Sequence, residues 1–105
     1  MNKRIVFRGV ESSANMEQYI EEAFRKIDAF FEEHNRTPLT CDVILESHPT
    51  HATSKCEIRI TSPEYRVIVH EEGQDMYKLV HDVVDKAYAQ LLKEKKIWDD
   101  KHKGK

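Results

Sequence analysis

A chain of 105 residues has room for one ordinary domain, and 39% hydrophobic with 34% charged residues is the balance of a folded domain, not a disordered one. Its apolar runs are short, as at Val67-Ile68-Val69, far below the roughly 20 residues that a membrane-spanning helix needs. A formal net charge of −2 argues against a nucleic-acid partner only until its distribution is considered, because both ends are basic and the middle is acidic.

Residues 1–8 carry Lys3, Arg4 and Arg8 and no acid, while residues 86–105 carry seven lysines against Glu94, Asp99 and Asp100. Such polarity orients a molecule in the field of a polyanion even when the total charge is negative. Met1-Asn2-Lys3-Arg4 leads straight into a strand-like stretch with no apolar signal region, so a cytoplasmic location is expected.

Lys3–Val10 reads as a first strand, rich in β-branched and aromatic residues. Ser12-Ser13 then supplies a helix cap, and Met16, Ile20, Ala23, Phe24, Ile27 and Phe31 recur at the spacing of one helical face. Asn35-Arg36-Thr37-Pro38 stops that helix. Leu39–Glu46 alternates Cys41, Val43 and Leu45 with Asp42, Ile44 and Glu46, and a loop with Pro49 follows. In the next strand Ala52, Ser54, Cys56, Ile58 and Ile60 face one way, and Thr53, Lys55, Glu57, Arg59 and Thr61 the other. Ser62-Pro63-Glu64 makes a turn into Tyr65–His70, and Gly73-Gln74-Asp75 opens a long helix from about Met76 to Trp98.

The order is β-α-β-β-β-α, an α+β domain with a four-stranded sheet and two helices packed on one face. One domain is expected over residues 1–98, with a charged tail, 99–105, that frays.

The second helix is the most informative element. At about 100° per residue, Met76, Leu79, Val80, Val83, Val84, Ala87 and Leu91 gather on a core-facing arc. Lys78, Asp82, Lys86, Ala89, Lys93 and Lys96 lie on the adjoining arc. Lysines one turn apart stand about 5–6 Å from each other, close to the phosphate spacing of a nucleic-acid strand. A solvated face is the plainer reading of that stripe, and a phosphate-tracking surface the sharper one. On the first helix Lys26 sits at the edge of the apolar arc and is open to an outside contact. Arg25 lies among acids and is expected to pair with Glu21 or Glu22. Tyr77 and Tyr88 are placed half-buried at the sheet edge.

Catalysis finds little footing. The chain has no G-x-S-x-G, no glycine-rich phosphate loop and no H-E-x-x-H, and its glycines stand only at 9, 73 and 104. His48 and His51 with Cys41 and Cys56 invite a metal, but the cysteines lie on separate strands instead of forming a close pair. They read as reduced core residues. No enzyme activity, metal or cofactor is expected.

Glu72-Gly73-Gln74-Asp75-Met76-Tyr77, followed by Asp85-Lys86, Gln90-Leu91 and Lys93, resembles the ribosome hibernation-promoting factors, a family that includes the ribosome-associated inhibitor once called sigma-54 modulation protein. Phe24-Arg25-Lys26-Ile27 and Thr50-His51 extend the likeness, which covers about residues 3–98. Where the family commonly has Arg before that Gln, this chain has Ala89.

The resemblance implies a fold similar to double-stranded-RNA-binding domains and docking on the small (30S) ribosomal subunit, against 16S rRNA around the tRNA and mRNA sites. It implies inhibition by occupancy and ribosome hibernation in stationary phase or stress. The length resembles the short form, which acts with a separate ribosome-dimerising factor, and a monomer is expected away from the ribosome. Lys26, Lys86, Gln90 and Lys93 are the contact residues carried over from the family; Lys78 and Lys96 join them on helical geometry. The alternatives are a generic double-stranded RNA binder and a protein-interaction module that uses the acidic face of the first helix.

Overall fold

The structure, a computed structural model, describes residues 3–34, 38, 40–47, 50 and 52–102. Its elements are β1 (Arg4–Arg8), α1 (Ala14–Ala23), α2 (Arg25–Glu33), β2 (Thr40–Ser47), β3 (Ser54–Thr61), β4 (Arg66–Gly73) and α3 (Met76–Lys101). The strands lie side by side in the order β1-β2-β3-β4. β2, β3 and β4 form an antiparallel meander, with Ile58 facing Val43 on one side and Val69 on the other. β1 runs parallel to β2, Arg4 beside Asp42, because the chain crosses over through α1 and α2 before returning. The sheet is therefore mixed and the fold α+β.

One correction concerns the first helix. It is interrupted at Phe24, whose φ of −78° and ψ of −7° leave the helical ψ near −42°. The Phe24 carbonyl accepts from both Ile27 N–H and Asp28 N–H at 3.0 Å, so the turn tightens without losing its bonds. Ser13 Oγ caps α1 by accepting from Met16 N–H at 3.2 Å. Asp75 does the same for α3, accepting from Tyr77 N–H at 3.0 Å. The expected helix stop at Asn35–Thr37 lies outside the described residues. α3 continues past Trp98 to Lys101, so residues 99–101 extend the helix.

All helices cover one sheet face. Ile20, Phe24, Ile27, Val80, Val83, Ala87 and Leu91 meet Val43, Leu45, Cys56, Ile58, Ile60 and Val67 in a single cluster without solvent contact. Lys3 closes its edge. The side chain of Lys3 is only 4% exposed, bonded to Glu21 at 2.9 Å and set 5.1 Å above the Phe24 ring. Glu21 is thus taken by β1's end of the sheet, and Arg25, expected to pair with Glu21 or Glu22, has no ion pair among the described residues.

The far face of the sheet is open but not bare. Arg4 pairs with Asp42 at 3.1 Å and Arg8 with Glu46 at 4.0 Å, each across the parallel register. Alternation assigns Ile44 and Glu57 to the solvent side, yet they are 5% and 9% exposed. Arg8, Glu46, Lys55 and Arg59 line the same hollow as these two residues, and such long side chains shield neighbouring surface with their stems. Glu57 holds Arg59 and, at 3.6 Å, Lys55.

Cys41 lies opposite Ile60 and Cys56 opposite Leu45, four residues apart along β2. That is about 13 Å of strand, beyond the roughly 7 Å a disulfide can bridge. Both are free and buried, and desolvation pushes each thiol up to about 12. His48 and His51 fall outside the described residues. No described helix is long and apolar enough to cross a membrane.

Two positions carry local predictions. Gly9 has φ +68°, and a Cβ there would stand 2.0 Å from the Ser47 carbonyl oxygen. The left-handed conformation alone costs about 1–2 kcal/mol for other residues, so Gly9→Ala should lower stability by at least that much in urea titration. Asp28 is the second. One carboxylate oxygen is buried without a hydrogen-bond partner, and burial raises the group's pKa against the opposing pull of Lys3. A raised acid favours the fold while protonated and loses that benefit as pH rises through its folded pKa. Asp28→Asn should therefore raise the melting temperature at neutral pH, and the gain should vanish in acid below the unfolded carboxylate pKa.

Candidate nucleic-acid interface

α3 presents the lysines because its opposite arc is consumed by the core. A helix of 26 residues spans about 39 Å, and Lys78 to Lys96 covers about 27 Å of its outer side. Five of the six sequence candidates lie on α3 and Lys26 lies at the start of α2, and their surroundings differ.

Four are engaged within the molecule. Lys78 bonds Asp82 at 3.1 Å, and that bond, helped by His81, holds the Asp82 carboxyl below its ordinary pKa. Lys26 reaches across from α2 to Asp85 and lies 5.5 Å over the Tyr88 ring, tying α2 to α3. His81 completes the acid-base group at 3.7 Å from Asp85. Lys86 bonds Glu71 of β4 at 3.0 Å and the His70 carbonyl at 3.3 Å. Gln90 donates to Glu94 at 2.9 Å and is half-buried.

Lys93 and Lys96 differ from the rest. Both are exposed, and neither has an ion pair among the described residues. Lys95, between them, turns to Asp99 and leaves the stripe. Ala89 opens a gap in the middle of the lysine row. The surface is thus two free cations at the C-terminal half of α3, continued by three lysines that carry their own counter-ions.

Such pairs on exposed side chains contribute about 0–1 kcal/mol each and exchange readily. An arriving phosphate can replace a carboxylate without a large barrier. The partners Asp85 and Glu71 are what sequence reasoning missed, since Glu71 reaches Lys86 only through the fold. Exposed Arg25 and Arg66, neither with an ion pair among the described residues, are further cations outside the six candidates.

The tyrosines require a correction. Tyr77 packs edge-on against Tyr19 of α1, with centroids 5.0 Å apart, and Tyr88 stands 6.5 Å from Phe30 of α2. Both face the helical layer and not the sheet edge. Neither is a free platform for a base. Among the described residues no three His, Cys, Asp or Glu side chains gather as metal ligands.

Known proteins bear on this surface. The family model described as sigma 54 modulation protein / S30EA ribosomal protein matches residues 4–97. The ribosome hibernation promoting factor of Escherichia coli K12 is 26% identical over 95 residues, which are 90% of this chain and 94% of that protein. Two solved structures share the fold. A ribosomal subunit interface protein from Coxiella burnetii has a TM-score of 0.76 at 21% identity, covering 90% of this chain and 98% of that one. The N-terminal domain of Thermus thermophilus Protein Y has a TM-score of 0.70 at 23% identity, covering 86% and 94%. With the family match running from the first strand almost to the end of α3, this chain belongs to the sigma 54 modulation protein / S30EA ribosomal protein family.

Proposed function

We propose that this protein is a ribosome hibernation factor that lodges on the small (30S) subunit, where messenger and tRNA otherwise bind, and contacts 16S rRNA through the outer face of α3. Ribosomes so filled stand idle in stationary phase or stress. The observation that carries the reading is membership of the S30EA family together with a hibernation promoting factor matched along 94% of its length. The lysine surface of α3 supplies the physical means. Occupancy needs no bond making or breaking, only a rigid body of the right charge in the right space. Lys93 and Lys96 are assigned as direct phosphate contacts. Lys78, Lys86 and Lys26 are assigned as contacts that trade a carboxylate for a phosphate, and Gln90 as a neutral neighbour in the same row.

The test is sedimentation of the purified protein with small subunits across a salt series, with and without bound tRNA. Pelleting with empty subunits, reduced by tRNA and unaffected by excess free duplex RNA, is the expected result. A protein left in the supernatant at low salt overturns the proposal. Displacement by duplex RNA of any sequence would replace it with a general double-stranded RNA binder, which reads shape across two minor grooves.

A further inference from the structure

β4 ends the sheet, and no described strand lies beyond it. Two contacts fix which of its backbone groups point outward. Ser62 N–H bonds the Tyr65 carbonyl at 2.8 Å, so in this hairpin the odd-numbered residues bond to β3. Lys86 Nζ reaches the His70 carbonyl from the other side at 3.3 Å, so the even-numbered residues face away from the sheet. Arg66, Ile68, His70 and Glu72 therefore offer their N–H and C=O groups along a free edge. All four side chains are exposed on the open face, Ile68 at 58%. Arg66 and Glu72 have no ion pair among the described residues.

We propose that β4 pairs antiparallel with β4 of a second copy of this chain, about a two-fold axis at Val69, making one continuous sheet. Only residues with outward groups can form the hydrogen-bonded pairs of such a junction. One register then sets Arg66 opposite the partner's Glu72 and, by symmetry, Glu72 opposite the partner's Arg66. It also sets Ile68 beside the partner's His70. Sliding one step either way loses both ion pairs. One slide places Glu72 against the partner's Glu64, and the other places Ile68 against the partner's Glu72. Main-chain bonds supply the affinity and the two charge pairs the register.

Lys86 works against this junction, because its bond to the His70 carbonyl occupies one of the outward acceptors. Lysines at sheet edges commonly block strand addition in this way. The pairing is accordingly weak and concentration-dependent, and the chain is a monomer when dilute. The pairing is read on the purified chain without ribosomes.

Sedimentation equilibrium of the full chain, from micromolar to millimolar at low salt, tests it. The mass should climb toward twice that of the monomer, and Lys86→Ala should move the midpoint to several-fold lower concentration. Glu72→Arg and Arg66→Glu should each remain monomeric, while an equimolar mixture of those two variants, and the double variant R66E/E72R, should dimerise again. Both positions are exposed, so circular dichroism should show intact folding throughout. The proposal is overturned if wild type and Lys86→Ala stay monomeric at millimolar concentration. It is equally overturned by dimers indifferent to both charge reversals, or by a mixture of the two single variants that stays monomeric.

Discussion

Replacing Lys93 and Lys96 together by glutamate should abolish most binding to small subunits while leaving the fold unchanged. Both side chains are exposed and hold no ion-pair partner among the described residues, so the change leaves no buried charge and breaks no salt bridge among those residues. A hydrogen bond to a charged group contributes about 1.5–3 kcal/mol. Without two such bonds, and before any repulsion from the new carboxylates, binding weakens by roughly a hundredfold or more. The alanine pair should show the same effect in milder form and lower the slope of log affinity against log salt by about two. Lys95→Ala is the control. Its ammonium already turns to Asp99, away from the stripe, and binding should hold. Equal losses from Lys95→Ala and from the Lys93 and Lys96 pair would mean that net charge, and not this surface, governs the interaction.

Phe24→Ala should be the most destabilising single truncation. The ring is wholly buried where α1 gives way to α2, and the Lys3 ammonium stands on its face. Removing it empties a large volume beside Ile20 and Ile27 and leaves a nearly buried lysine over a void. Core Phe→Ala changes cost about 3–5 kcal/mol, a large share of the roughly 5–15 kcal/mol that holds a domain of this size. At about 4–8 °C per kcal/mol the melting temperature should fall by about 12–40 °C. Calorimetry reads this directly. A drop of only a few degrees would mean that α2 and β1 collapse into the space, and that the helix break depends little on the ring.

The difference between these variants reflects what was legible in the sequence. Alternation in residues 52–61 and the 3.6-residue stripe from Met76 to Leu91 are long, regular signals, and they place the meander and α3 correctly. The break at Phe24 leaves no trace, because a ψ change of some tens of degrees at one residue preserves the apolar spacing on both sides and needs neither glycine nor proline. Ile44 and Glu57 depart from expectation for another reason. Alternation assigns a face, but burial on that face depends on how far Arg8, Lys55 and Arg59 fold over it, and these come from two other parts of the sheet edge and centre. At the candidate interface the exposed outer arc of α3 is readable from the helical repeat. The pairing of Lys86 with Glu71, 15 positions earlier, and of Lys26 with Asp85, 59 positions later, is not, because such neighbours exist only after the sheet and helices have met.

The parallel seating of β1 has a consequence for how the chain reaches this state. The hairpins β2-β3 and β3-β4 close loops of a few residues, whereas the Arg4–Asp42 pairing must close one of 38. Loop entropy is settled before distant contacts form. The meander with α3 is thus the natural nucleus, and β1 arrives as the finishing strand, latched by Lys3 onto Glu21. Until it docks, the outer side of β2 stays unpaired, which makes the edge occupied by β1 in the native protein the one most open to mispairing in a freshly made chain.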